Sequence, residues 1–351
     1  MKMKTTTNHT APDNNLYYVG LDVHMKFTAI CILNPRGAIV KEQKVYGDSE
    51  KVCRLLRGDV PGPFAVVIEA SDSYGVWYDR LAPIARSVRV AHPTDLKNIW
   101  NCKRKNDRID ARKLALMLML GTVPAVHVPD REVRQWRSTI QHRKKLVQKR
   151  TGIKNQIRAL LRRAHIKAPR NLWSKKNLRW LAAVIFPTEG EALQRDMALE
   201  DLEHVNAQIR RVEAELDARA EAHPGVMLLK TIPGVGNRTA EAVIAWLDDI
   251  KRFSRAKQVG AYFGLVPTED SSADRRRLGH ITRQGPGVVR QLLVETVWRM
   301  MRCNPLVRGW VERFQHGQAK RKHIAVVATA HKLARCMFAM LRTGEVWNPA
   351  A

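Results

Sequence analysis

Hydrophobic and polar positions along this chain change their period from one region to the next. Leu16 to His24 and Phe27 to Leu33 are apolar and β-prone, Asn34-Pro35-Arg36-Gly37 has the composition of a turn, and Ala38 to Val45 returns as a third run. Short β-prone runs separated by turn residues predict three consecutive antiparallel strands. Ser49 to Arg57 predicts a short helix capped by Ser49. Phe64 to Glu69 is an unbroken apolar run closing on a carboxylate, as a buried central strand would. Tyr74 to Arg86 follows as helix, Ser87 to Ala91 as a fifth strand and Asp107 to Leu120 as a last helix. Three strands, helix, strand, helix, strand, helix is the element order of ribonuclease-H-like domains, so residues 16–125 are expected to form such an α/β domain. Residues 1–15 are polar, lack the apolar segment of a signal peptide and predict a disordered tail.

The period then becomes helical. From Arg131 to His165 the apolar positions Val133, Trp136, Ile140, Val147, Ile157 and Leu160 largely keep three-four spacing, while Arg143, Lys144, Lys145, Lys149, Arg150 and Lys154 make the stretch strongly basic. After Pro169 and Pro187 the chain is more acidic, and Leu202, Val205, Ile209, Val212 and Leu216 repeat in alternating steps of three and four. That is a heptad seam, so 126–224 is expected to be a helical coiled-coil connector. Two readings of the seam stand open: a helical hairpin packed within one chain, or a seam that also pairs chains and leaves the basic helix facing phosphates. His223-Pro224-Gly225 closes the connector and opens a mainly helical domain over 225–345. Within it, Leu228 to Ala245 reads as helix, Pro-Gly-Val-Gly turn and second helix, a helix-hairpin-helix signature in which Gly234 and Gly236 let the turn approach a phosphate. A glycine-terminated helix turn is the plainer alternative.

Charge narrows the function classes. The 351 residues hold 61 Lys+Arg against 33 Asp+Glu, a net charge of +28. Such an excess costs self-repulsion and is best explained by a polyanionic partner. No apolar run reaches the roughly 18 residues of a spanning helix, so nucleic acid is favoured over a membrane. Cys31, Cys53, Cys102, Cys303 and Cys336 form no C-x-x-C pair, and scattered thiols in a chain without a signal peptide point to the cytoplasm.

Four carboxylates carry the candidate chemistry. Asp22 stands in a strand between Val19, Leu21 and Val23, and Glu69 closes the next long apolar strand. Acids in such strands are costly to desolvate unless paired or metal-bound. In a ribonuclease-H-like sheet the first and fourth strands are neighbours, so these two would meet. Asp107 and Asp110 are three apart and share a helix face. Four converging carboxylates would raise one another's pKa values, a conflict that a divalent cation removes; hard oxygen donors favour Mg2+ or Mn2+. Two such ions could activate a nucleophile and stabilise the leaving oxygen of a phosphodiester. Lys103, Arg104 and Lys105 lie just upstream to meet phosphate, while His24 and Asp72 are read as surface or supporting residues. The plainer readings are a helix cap for Asp107 and a basic neighbour, Arg112 or Lys113, for Asp110.

The stretches VGLDVHMKFTAICILNPRG, VVIEASDSYGVWYDRL, KRKNDRIDARKLA, IPGVGNRTAEAVIA, RFSRAKQVGAYFGLVPTEDSS and GHITRQGPGVVRQLL together resemble the insertion-sequence-110, or DEDD, transposases, a group that also holds Piv-type DNA invertases. The resemblance spans nearly the whole chain. It implies a Holliday-junction-resolvase-like N-terminal domain whose acids are Asp22, Glu69, Asp107 and Asp110, a coiled-coil connector and a C-terminal transposase domain. It also implies a serine nucleophile and a structured RNA, encoded by the element, that guides recognition of DNA. Five places after Pro267 the nucleophile falls on Ser272, with Ser271 as second choice; Ala273 follows where the family usually has glycine. Pro286 follows Gly285 where Asn or Asp is common, which bears on helix capping. Arg275, Arg276 and Arg277 could neutralise the attacked phosphate, His280 is a candidate neighbour of the serine, and Arg283 is a further DNA contact. The expectation is a homo-oligomeric recombinase, dimer or tetramer, acting through phosphoserine, with its two sites completed between subunits. A metal-dependent nuclease or junction resolvase using water is the alternative, and a non-catalytic nucleic-acid scaffold the rival from another class.

Overall fold

The computed structural model describes residues 15–99, 107–269 and 277–348. Lys103, Arg104, Lys105, Ser271, Ser272, Arg275, Arg276, the Asp107 side chain and the tail expected before Asn15 lie outside the described residues. The chain divides into two compact units, residues 1–134 and 135–351.

The first unit is a mixed α/β sheet domain. Its elements are β1 (Tyr17–Val23), β2 (Phe27–Leu33), β3 (Ile39–Tyr46), α1 (Ser49–Asp59), β4 (Phe64–Glu69), α2 (Tyr74–Leu81), β5 (Ser87–Ala91), α3 (Pro93–Ile99) and α4 (Asp107–Met119). The strands lie in the order β3-β2-β1-β4-β5. β1 is antiparallel to β2 and parallel to β4, so the first and fourth strands are neighbours as expected. One face of the sheet, carrying Val19, Leu21, Ile30, Ile32, Val66 and Ile68, packs on Val52 and Leu56 of α1 and Trp77 and Leu81 of α2.

The other face carries α4, and small residues let it lie close. Ala111 and Ala115 pack on Ala29 and Cys31, and Leu114 packs on Val67 and Ala91. A Cβ at Gly20 would stand 2.1 Å from the Ala111 carbonyl oxygen. Only glycine leaves room for that crossing.

Three details depart from the sequence reading. The cap of α1 is Asp48, which accepts from the Lys51 amide at 3.0 Å, while Ser49 Oγ accepts from Arg80 at 2.8 Å. Helix α2 stops at Leu81 rather than Arg86 because Pro83 brings no amide to continue it. Helix α3 was not anticipated, although Pro93 at its first position is a starting signal.

The second unit is mostly helical. Two long helices, α5 (Arg131–Arg163, rooted at the end of the first unit) and α7 (Glu189–Ala222), flank α6 (Lys175–Ala183). Leu202, Val205 and Ile209 are buried with Ile153, Ile157, Leu160 and Leu161, and Leu216 joins Trp136 and Ile140. Four of the five seam residues therefore pack inside the chain. Leu202, Val205, Ile209 and Leu216 are at most 4 % exposed, while Val212 is only half-buried.

The rest comprises α8 (Pro224–Lys230), α9 (Asn237–Leu247), α10 (Ala256–Tyr262), the short hairpin β6 (Pro267–Glu269) and β7 (Leu278–Ile281), α11 (Gly287–Cys303), α12 (Pro305–Gln315) and α13 (Lys322–Thr343). Residues Ala319–Thr343 are long and apolar enough to cross a membrane, which corrects the expectation that no such segment exists. In the fold, Ala325, Val326, Ala330, Leu333, Ala334, Met337 and Phe338 of this helix are buried in the unit's core.

Candidate active site

Strand periodicity decides where the acids of the sheet unit go. Side chains alternate across a strand, so residues two apart share a face. Gly20 lies under α4, and Asp22 is two residues further along β1. Val67 packs on Leu114 of α4, and Glu69 is two residues further along β4. The parallel register ends at Leu21 opposite Ile68, one residue before both acids. Asp22 and Glu69 thus stand side by side at the C-terminal ends of adjacent parallel strands, on the face that carries α4.

The Asp22 side chain is 15 % exposed, and its Oδ2 lies 3.0 Å from His24 Nε2. His24, read from sequence as a supporting residue, is thus in direct contact with a candidate acid. Asp72 is exposed. On α4, Asp110 precedes Ala111 and lies 3.3 Å from Lys113 Nζ, the plainer partner foreseen for it. Asp107 is the first residue of the same helix. Among the described residues no three His, Cys, Asp or Glu side chains are arranged to hold a metal ion. The chemistry of the donors does fit one: carboxylate oxygens on two neighbouring strand ends, with Asp110 on the helix that crosses the same face, suit Mg2+ or Mn2+.

The basic candidates of the second unit fall into two sets. Lys145 and Lys149 are exposed, and Lys144 and Arg150 half-buried. Lys154 stands 4.8 Å from the Trp173 ring, and burial, with the charges of Arg150 and Arg158, lowers its pKa. Arg143 is committed within the chain, donating to Glu213 from Nε at 2.9 Å and Nη2 at 2.6 Å. It was expected to face phosphate; opposite an acidic helix it finds a carboxylate first.

Gly234 and Gly236 form the turn between α8 and α9. Gly234 takes φ +97° and its carbonyl accepts from Arg299 at 2.9 Å. Gly236 caps α9, while Asn237 and Arg238 both donate to Asp217. Arg277 and Arg283 are exposed, and His280 lies on β7.

Two residues that the sequence reading passed over organise this unit. Arg290 donates to the carbonyls of Phe263 at 2.8 Å, Arg283 at 2.8 Å and Gln284, fastening the base of the β6–β7 segment that contains the serine positions. Glu241 of α9 is fully buried, with Arg238 Nε at 3.2 Å. Burial pushes its carboxyl from 4.5 up to about 7, against the pull of Arg238 and with a further push from Asp217. The signal for Glu241 was an acid inside AEAVIAWL; Arg290 had none in so basic a chain.

Comparison with known proteins finds two family matches along the chain. Residues 19–166 match the DEDD family of IS110 transposases, described as transposase, and residues 226–312 match the family described as Transposase IS116/IS110/IS902. A transposase for insertion sequence element IS1328 of Yersinia enterocolitica is 30% identical over 296 residues, 82% of this chain and 86% of that one. The chain belongs to the IS110 family of transposases. A transposase for IS1111A of Coxiella burnetii is 26% identical over 345 residues, 95% of this chain and 92% of that one. Membership makes the chain an enzyme acting on DNA, the transposase of an IS110-family insertion sequence.

Proposed function

We propose that this transposase cuts and rejoins DNA with the four carboxylates on the α4-bearing face of its sheet and with Ser272. The observation that carries the reading is the placement of Asp22 and Glu69 on adjacent parallel strand ends, with Asp110 on the helix crossing the same face. The strand order supports a ribonuclease-H-like, resolvase-like domain, and the α8–turn–α9 arrangement supports a helix-hairpin-helix.

Asp22, Glu69, Asp107 and Asp110 would hold Mg2+ or Mn2+. When bound, the ion would polarise the scissile phosphate and stabilise the leaving oxygen. His24, in contact with Asp22, fixes that carboxylate's orientation. Asp110 would exchange Lys113 for the cation, since its own side chain is 41% exposed and open to an incoming ion.

Ser272 Oγ attacks phosphorus while the bond from phosphorus to the leaving deoxyribose oxygen breaks. The serine proton passes to a base, and the leaving oxygen keeps the electron pair and takes up a proton. The phosphoserine link conserves one phosphodiester bond for rejoining. Arg275, Arg276 and Arg277 neutralise the phosphate during attack. The charge of +28 supports DNA and an element-encoded guide RNA as partners. The enzyme acts as a homo-oligomer.

Replacing Ser272 by Ala should abolish covalent protein–DNA adducts, seen as a shifted band in denaturing gels, while DNA binding persists. Persisting adducts would reject Ser272 and turn attention to Ser271. Cleavage with no adduct in the unmodified protein would favour attack by water. Asp22→Asn should remove metal-dependent strand exchange, and unchanged exchange would overturn the carboxylate assignment.

A further inference from the structure

The face of the sheet that bears Asp22 continues beyond the acids into an aromatic strip. Asp22 pairs with Ala29 and Ala29 with Lys44, so these three occupy one row across β1, β2 and β3. Phe27 pairs with Tyr46 in the next row on that face. His24 Nε2 is 3.0 Å from Asp22, the His24 and Phe27 rings are 4.7 Å apart, and those of Phe27 and Tyr46 are 5.8 Å apart. A ladder of three rings therefore runs from the candidate acid to the sheet edge, where β3 is the outermost strand.

Cations accompany the rings. Lys44 Nζ stands 4.4 Å over Phe27, and Lys51 Nζ donates to the Tyr46 carbonyl at 2.9 Å. Lys26 is exposed in the tight connection between β1 and β2. The outermost ring is the least covered: Tyr46 is 64% exposed, and Met25, in the same connection as Lys26, is wholly exposed. A cross-strand aromatic pair whose only task was to stabilise the sheet would gain from burial. Here the pair stays open and is flanked by positive charge.

We infer that Tyr46, with Phe27 behind it and Lys44 and Lys51 beside it, is a stacking platform for an unpaired base of the DNA strand next to the phosphate cut at Asp22. Stacked aromatic rings bind bases without reading sequence, and neighbouring lysines hold the phosphates. The location of the platform beside the cut, though not its affinity for DNA, rests on the carboxylate reading proposed above.

The test uses the full-length protein without divalent metal, so that binding is measured apart from cleavage. The probe is a short single-stranded thymidine oligonucleotide carrying one 2-aminopurine, whose fluorescence is quenched by stacking. Tyr46→Ala should weaken binding about 10-fold, within the range for loss of one base–aromatic stack, and should remove the quenching. Tyr46→Trp should restore both, which a merely unfolded variant could not do. Lys44→Gln should lower the dependence of affinity on salt by about one phosphate contact. Equal affinity and quenching in Tyr46→Ala and the unaltered protein would overturn the platform. So would a Tyr46 dependence seen with RNA of the same length and not with DNA. Neither result bears on Asp22→Asn, whose readout is strand exchange, so the two readings fail separately.

Discussion

Asp22 in the sheet unit and Glu241 in the helical unit are both acids set among apolar neighbours, and they differ in what encloses them. Asp22 sits at the end of β1, with Glu69 next to it across the parallel register and His24 in contact. Glu241 is inside α9, fully buried, with a guanidinium one turn back. The argument that an acid among apolar residues needs a reason applies to both, and more strongly to Glu241. Burial alone therefore does not single out chemistry. What sets Asp22 apart is company and access: a second acid on the same face, Asp110 on the helix crossing that face, and an open strip beyond. Glu241 has an arginine and walls.

The comparison breaks most severely at Gly20. A valine there would drive its Cβ into the Ala111 carbonyl and the Ala115 amide nitrogen, 2.1 Å and 2.6 Å away. Backbone on both sides leaves α4 no route but to lift off β1. Overpacking of this kind costs about 3 kcal/mol, the upper end of the usual range, and should lower the denaturant midpoint of the sheet unit. Because α4 carries Asp107 and Asp110, cleavage should fall further than stability explains. Retained cleavage in a folded Gly20→Val protein would mean that the helix acids do not act with Asp22 and Glu69.

Glu241 sharpens the other side. Its folded pKa of about 7 lies above the ordinary 4.5. The acid therefore contributes its full stability below about pH 4.5, and that contribution is lost as the pH rises through about 7. At 1.36 kcal/mol per unit the loss is about 3 kcal/mol. Glu241→Gln should remove this loss, making the protein more stable than the parent above pH 7 and equal to it near pH 4. Urea midpoints measured across that range decide it. A Gln variant that is instead less stable at pH 8 would show the carboxylate–Arg238 pair to be a net stabiliser.

The same contrast explains what could be read from the sequence. Strand acids stand out because a central strand is apolar on both faces, so Asp22 and Glu69 were visible; element order made their strands neighbours, and the register with the packing of α4 put both acids on one face. A helix ordinarily shows a polar side, which is why Glu241 in AEAVIAWL attracted no notice. The heptad seam was legible as a seam, but spacing carries no information about which helix fills it, and α5 of the same chain does. Arg290 was indistinguishable from a phosphate contact among 61 basic residues; only its backbone acceptors reveal a clamp. Net charge thus overstates the polyanion-binding surface, because part of it ties the fold together.

The smallest expected effect tests that last point on a single helix. Arg143 and Lys149 both lie on α5 and were indistinguishable by composition. Arg143 is held by Glu213, with side chains 22% and 32% exposed, whereas Lys149 is open to solvent. A cation that neutralises a phosphate on binding releases counterions, and losing it should flatten the plot of log affinity against log salt by about 0.9. Lys149→Ala should do this in anisotropy titrations with duplex DNA, at little cost in stability. Arg143→Met should leave the slope unchanged and cost about 0–1 kcal/mol of stability, the range for a partly exposed pair. If the two variants flatten the slope alike, the Arg143–Glu213 pair opens on DNA. The division between enclosed and open charge would then hold for the acids of this protein and not for its cations.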